Sequence, residues 1–255
     1  MRFETFWLTD RGLRRHHNED QLLVRDDLGL YIVADGMGGH AAGEVAADLA
    51  VREVERVVEA TRSFSGDTWP EDWDPKLSLA ANRLVRAILS AHRRVTAAVD
   101  GDYGLRGMGA TIVVALVDWK KPDLTLAHVG DSRAYLLRDG KLGQLTADHS
   151  WVHEQVVAGL LSEEAARSHP LKNVVTRALG GAQEPVVDVG VFELEPGDQL
   201  LLCSDGLNTM LADEEILEVL LRGADVTRTV HQLIAEANRK GGLDNITALL
   251  TRSRP

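Results

Sequence analysis

Five short stretches of the chain set an acid beside a Gly, Asn or Ser where an apolar run begins or ends. They are Arg15-His16-His17-Asn18-Glu19-Asp20, Val33-Ala34-Asp35-Gly36-Met37-Gly38-Gly39-His40, His128-Val129-Gly130-Asp131-Ser132-Arg133, Cys203-Ser204-Asp205-Gly206 and Gly241-Gly242-Leu243-Asp244-Asn245. Two chemistries are open to such acids. Each can close a turn or cap a helix, because short polar side chains bond to nearby backbone amides and Gly tolerates positive φ. Each can also offer a hard oxygen ligand to a divalent cation, with the glycines letting the cation, its waters and a substrate approach the backbone. In VADGMGGH the carboxylate of Asp35 stands at the mouth of an apolar strand, and three glycines follow within four positions. A strand-end Asp taken singly reads first as a turn former.

The elements that must position these acids are legible in part. Residues 30–34, 110–117, 124–129, 199–203 and 245–251 are short and rich in apolar or β-branched side chains, and read as strands, several buried on both faces. Ala46, Leu49, Ala50, Val54 and Val57 recur with helical period and predict a helix over 42–58. Val226, Val230, Leu233, Ile234 and Ala237 mark a second helix, and 79–99 a third. Each has one stripe to bury against a sheet. Residues 63–75 form a polar connector bearing Pro and Trp, and 148–185 hold only short helical patterns, with Ser162 as a cap, so this segment is expected to leave the core as a mobile excursion. Strands spread from one end of the chain to the other predict one interleaved domain over 1–255, with no repeat.

Composition narrows the function. With 28 basic and 39 acidic residues the formal charge is −11 and no basic block stands out, which argues against nucleic-acid binding. No stretch approaches the ~20 apolar residues of a membrane span. The amino-terminal MRFETFWLTDRG has no uninterrupted apolar core of a secretory signal, and the single cysteine, Cys203, fits a reducing compartment. A cytoplasmic monomer is expected.

In order along the chain, R-x-x-N-E-D, V-A-D-G-M-G-G-H, a Gly109-to-Thr111 strand, V-G-D-S-R, L-C-S-D-G and G-G-x-D-N resemble the PPM family of metal-dependent Ser/Thr protein phosphatases, the type 2C fold. The resemblance runs from about Asp10 to Thr247 and is strongest to compact bacterial members. It implies an α+β fold, a four-layer α-β-β-α sandwich of two mostly antiparallel sheets flanked by helices, with 148–185 as the flap. It also implies hydrolysis of phosphoserine and phosphothreonine by water activated between Mn²⁺ or Mg²⁺ ions. By motif position, Asp35 bridges two cations, the Gly36 carbonyl and Glu19 help hold one, and Asp205 and Asp244 hold the other. Asp20 orients water from behind, Asp131 with Asp205 holds a third, weaker ion, and Arg15 binds the phosphate. All are oxygen donors, which suit Mg²⁺ or Mn²⁺ rather than zinc. Where some members have a histidine directly after Asp-Gly, this chain has Met37; His40, three residues later, is the candidate for protonating the leaving oxygen. Expected partners are phosphoproteins, in particular those of a cognate Ser/Thr kinase.

Other phosphate chemistries find no footing. The sixth residue after Cys203 is Thr209, so the Cys-x5-Arg loop of cysteine phosphatases is missing, and neither G-x-S-x-G nor a P-loop motif occurs. The alternative of a different class is a catalytically silent phosphatase-like module that binds phosphoproteins. Such a module would be expected to lack some ligands, whereas Glu19, Asp35, Asp205 and Asp244 are all present.

Overall fold

The computed structural model describes residues 2–38, 42–64, 74–118, 121, 123–223 and 225–254. Its core is built on strands that bury both faces. In β3 (Leu30–Met37), Leu30, Ile32 and Ala34 face one cluster while Tyr31 and Val33 face another. Because successive side chains point to opposite sides of a strand, a continuous apolar run serves two interfaces at once.

β3 pairs with β2 (Asp20–Arg25) and β5 (Ile112–Asp118), and the two-residue β4 (Gly109–Ala110) extends it at its end. β6 (Asp123–Val129) and β9 (Asp188–Glu193) complete one sheet in the order β2-β3-β5-β6-β9. The second sheet has the order β1-β11-β10-β7-β8, from β1 (Arg2–Asp10), β7 (Arg133–Arg138), β8 (Lys141–Gln144), β10 (Gln199–Cys203) and β11 (Ile246–Arg254). All these pairings are antiparallel. Tyr31, Val33, Val113 and Leu126 meet Leu200, Leu202 and Leu249 between the sheets.

Helices α1 (Ala42–Ala60) and α2 (Leu79–Gly101) cover the outer face of the first sheet through Ala46, Ala50, Val54, Leu84 and Ile88. Helices α6 (Asp213–Arg222) and α7 (Val226–Arg239) cover the second through Ile216, Val230, Leu233 and Ile234. The layers are therefore α-β-β-α, as the sequence resemblance implied. Between β8 and β9 the chain makes α3 (Trp151–Val157) and α4 (Glu163–Ser168), capped by the Ser150 and Ser162 hydroxyls; one-turn α5 (Asp205–Asn208) follows β10. Among the described residues no helix is long and apolar enough to cross a membrane.

Two expectations are adjusted. The strand expected over 110–117 breaks at Thr111, whose N–H bonds to the Asp35 carbonyl at 2.9 Å and whose hydroxyl lies 2.7 Å from the Ser132 hydroxyl. The strand expected over 245–251 starts at Ile246, because Asn245 turns its side chain to the site loops instead of joining the ladder. Most of the 63–75 connector lies outside the described residues.

Candidate metal centre

The register of β2 against β3 sets Asp20 opposite Asp35. Glu19, just before β2, is fixed by its own backbone: its N–H donates to Asn245 Oδ1 at 2.8 Å and its carbonyl accepts the Gly36 N–H at 3.2 Å. Its carboxylate then lies over the start of α1, where a Cβ on Gly43 would sit 2.7 Å from Glu19 Oε1. A Cβ on Gly36 would stand 2.1 Å from the Gly43 carbonyl oxygen. The glycine at 36 thus answers a packing need: β3, Glu19 and α1 can converge only on a bare backbone.

From the other sheet, Asp205 opens α5 directly after β10, and Asp244 precedes β11 with its Oδ1 accepting the Asn245 N–H at 2.8 Å. The Asn245 amide donates to the carbonyls of Arg11 and His17, both at 2.9 Å, so one side chain binds the Arg11–His17 loop and Glu19 together, next in the chain to Asp244. Asp20 is gripped from the second sheet, its Oδ2 accepting Ser204 Oγ at 2.7 Å and Thr247 Oγ1 at 2.6 Å. Glu19, Asp20, Asp35, Asp205 and Asp244 are therefore brought together at one end of the sandwich.

Their electrostatics are those of crowded carboxylates with Arg15 as a counter-charge at the rim. Glu19 Oε1, Asp20 Oδ1 and Asp205 Oδ1 are buried with no hydrogen-bond partner among the described residues. Burial, and then its carboxylate neighbours, pushes Asp20 up to about 7 against the two hydroxyls that favour its charge. Asp205 rises to about 6 by burial and the charge of Asp244, and Asp35 goes well above the carboxylate range through burial, Asp20 and Asp205. Burial raises Glu19 as well, with Arg15 opposing. Buried oxygens that lack donors and repel each other are the surroundings a hard divalent cation satisfies. The donor set fits Mn²⁺ or Mg²⁺.

Arg15 stands at the rim, about half exposed, with Nη2 2.6 Å from Asp244 Oδ2 and within the field of Glu19 and Asp35. Asp131 is buried in the turn between β6 and β7, pushed up to about 8 by burial and then by Asp205. A cavity of about 490 Å³ opens from Asp131 and Asp205 between α3–α4 on one side and α5–α6 on the other, with Arg167 and Lys172 of the 148–185 excursion on its wall. The excursion is tied down at its base: Asp148 takes a two-point ion pair from Arg133 at 2.7 and 2.8 Å, and Ser150 bridges to Val175. His40 lies outside the described residues.

Sequence reasoning left several supporting groups without a role. Ser204 and Thr247 were visible as polar side chains interrupting apolar strands, and Asn245 as the neighbour of Asp244. Asn18 was quoted in its motif, yet its amide bond to Thr9 Oγ1 at 2.8 Å and its Oδ1 acceptance of the Asp20 N–H at 3.2 Å depend on contacts no local pattern announces. His149, Arg177 and Asp188 carried no sequence signal at all.

Residues 13–250 match the family model described as protein phosphatase 2C. A protein of Listeria welshimeri named serine/threonine phosphatase stp is 40% identical over 245 residues, covering 95% of this chain and 92% of that one. The crystal structure of the Mycobacterium tuberculosis serine/threonine phosphatase PstP/Ppp superposes with a TM-score of 0.86 at 37% identity, over 99% of both chains. A structure of the PstP catalytic domain in complex with two manganese ions has a TM-score of 0.82 at 36% identity, again over 99% of each. Agreement at this identity and over this length extends to sequence as well as shape: the chain belongs to the protein phosphatase 2C family.

Proposed function

We propose that this chain hydrolyses phosphoserine and phosphothreonine in proteins, with 1–255 acting as one catalytic domain and 148–185 as the flap beside its site. The observation that carries this reading is the convergence of Glu19, Asp20, Asp35, Asp205 and Asp244 around buried oxygens that lack donors. Glu19, Asp35 and the Gly36 carbonyl would hold one Mn²⁺ or Mg²⁺ ion, and Asp35, Asp205 and Asp244 the other. When bound, such ions supply an activated water and neutralise the phosphoryl oxygens.

The chain's own groups do the rest. Asp20, clamped by Ser204 and Thr247 through Oδ2, keeps a buried Oδ1 without a protein donor and would orient water with it. Arg15, now on Asp244, presents a permanently charged planar fork suited to a phosphate at the rim. Asp131 with Asp205 would hold a third ion on the cavity side, a reading supported by the field of Asp205 on Asp131 and by both residues lining the cavity. His40 is the candidate donor to the leaving serine oxygen. The cavity lined by Arg167 and Lys172 gives the polypeptide flanking the phosphoresidue a place to lie.

We infer further that the substrates are those of a cognate Ser/Thr kinase, and that the chain works as a cytoplasmic monomer. The test is turnover of phosphoserine and phosphothreonine peptides and of p-nitrophenyl phosphate with Mn²⁺ or Mg²⁺, expected to vanish on chelation. Turnover surviving excess chelator contradicts the reading. No turnover with either metal on any substrate, alongside retained binding of phosphopeptides, favours the silent module.

A further inference from the structure

His149 begins the flap next to Asp148 and has no part in the scheme above, yet every polar group it owns is committed. Its N–H donates to the Gly130 carbonyl at 3.0 Å, and its own carbonyl accepts the Thr176 N–H at 2.8 Å from the returning end of the flap. Its ring Nδ1 lies 3.0 Å from the Gly130 nitrogen, and Nε2 lies 3.3 Å from Asp188 Oδ2. A backbone amide can only donate, so Nδ1 carries the lone pair and the proton of the neutral ring sits on Nε2, toward Asp188. Asp188 accepts Arg177 Nη1 on its other oxygen at 2.9 Å. The buried ring of His128 stacks on His149 at 4.7 Å between centroids and 17° between planes, and is itself fixed 2.8 Å from the Ala147 carbonyl.

Both backbone polar groups of Gly130, its N–H and its C=O, are thus bonded to one residue. On its other side Gly130 has φ +107° and no room, since a Cβ there would stand 2.4 Å from Thr111 Cβ. The next residue is Asp131, whose charge reaches Asp35 and which itself feels the charge of Asp205. His128, His149 and Asp188 do place ligand atoms within 4.8 Å of one another, the spacing of a metal site. Arg177 decides against that use: its Nη1 lies 3.1 Å from His149 Nε2, a fixed positive charge where a cation would sit, and His149 Nδ1 is already taken.

We propose that His149 is a positioning residue for Asp131: its ring carries the Arg177–Asp188 pair at the foot of the flap onto the Gly130 peptide, so that the flap base and the Asp131 turn move as one piece. The proposal rests on the acid cluster being the reaction centre, and the test separates the two. In the full chain with ¹⁵N-labelled histidine at neutral pH, His149 shows the Nε2–H tautomer, and the Gly130 amide exchanges slowly. His149→Asn keeps an acceptor near the Nδ1 position and retains the Gly130 protection. His149→Gln keeps only a donor toward Asp188, loses that protection, and needs about tenfold more Mn²⁺ for half-maximal turnover of p-nitrophenyl phosphate. An Nδ1–H tautomer, or Asn and Gln variants that lose protection and metal response equally, would overturn the proposal and leave His149 a packing residue. A wild-type chain with no metal-dependent turnover would defeat the phosphatase reading instead, while the tautomer and amide exchange still decide the role of His149.

Discussion

At the scale of single residues, Asp35 is expected to be the position where charge matters most and shape least. Asp35→Asn keeps the volume but removes the charge shared between two cation positions, and kcat should fall by about 10²–10³. The same change should raise the unfolding temperature of the metal-free protein at neutral pH, because an amide needs no proton to be buried beside Asp20 and Asp205, whereas the carboxyl does. Calorimetry and turnover on one preparation check both halves, and loss of activity with a lower unfolding temperature would mean a damaged fold. Arg15→Ala should act on binding: losing a charge-assisted contact worth about 1.5–3 kcal/mol raises KM by about tenfold or more with little change in kcat. Equal KM on an aryl phosphate would remove Arg15 from the phosphate. For His40→Ala, phosphoserine should slow more than p-nitrophenyl phosphate, whose leaving oxygen hardly needs a proton; equal slowing of both would point elsewhere for the acid.

At the scale of elements, the site depends on loops being held to strand ends, and Asn245 holds most. Asn245→Ala removes three side-chain hydrogen bonds, to the Glu19 N–H and to the carbonyls of Arg11 and His17, at about 1 kcal/mol each. A loss of about 3 kcal/mol in denaturant unfolding is expected, together with weaker Mn²⁺ binding by calorimetry, since Glu19 loses the side chain that ties it to the segment bearing Asp244. The elements also explain what sequence reading reached. The interior strands β3, β5, β6, β10 and β11 were announced by their apolar and β-branched runs, whereas interior β7, with an arginine at each end, was not. β1, β2, β8 and β9 are the four sheet edges, where Arg2, Glu4, Arg25, Lys141 and Glu193 interrupt the pattern, as edge strands tolerate and open edges require. The acids were legible because Asp-Gly and Asp-Asn pairs mark strand ends. His149 was not, because its partners Gly130, Thr176 and Asp188 come from three different segments and no local spacing encodes them.

At the scale of the whole molecule, the acid cluster works against the metal-free fold. Asp20 near 7, Asp131 near 8 and Asp205 near 6 bind protons more tightly folded than unfolded, so their contribution is fully present below about pH 4 and is lost as pH rises through 6 to 8. Each unit of displacement corresponds to about 1.4 kcal/mol. The gap in unfolding temperature between the Mn²⁺-loaded and chelated protein should therefore widen steadily from pH 5 to 8.5, and a gap that stays constant would show that these acids ionise freely without the ion. One feature of the second sheet reaches further. β11 lies between β1 and β10, and its nine residues pair along the whole of β1, from Arg2 opposite Arg254 to Asp10 opposite Ile246. A ribosome delivers β1 and its Arg15 loop before Asp244 and β11, so β1 must wait for its partner until every other strand of its sheet has been made. Until then the Arg15 loop and the Glu19 N–H lack the Asn245 side chain that fixes them, and a nascent chain stalled anywhere before β11 has emerged should release no phosphate however long it is incubated with substrate.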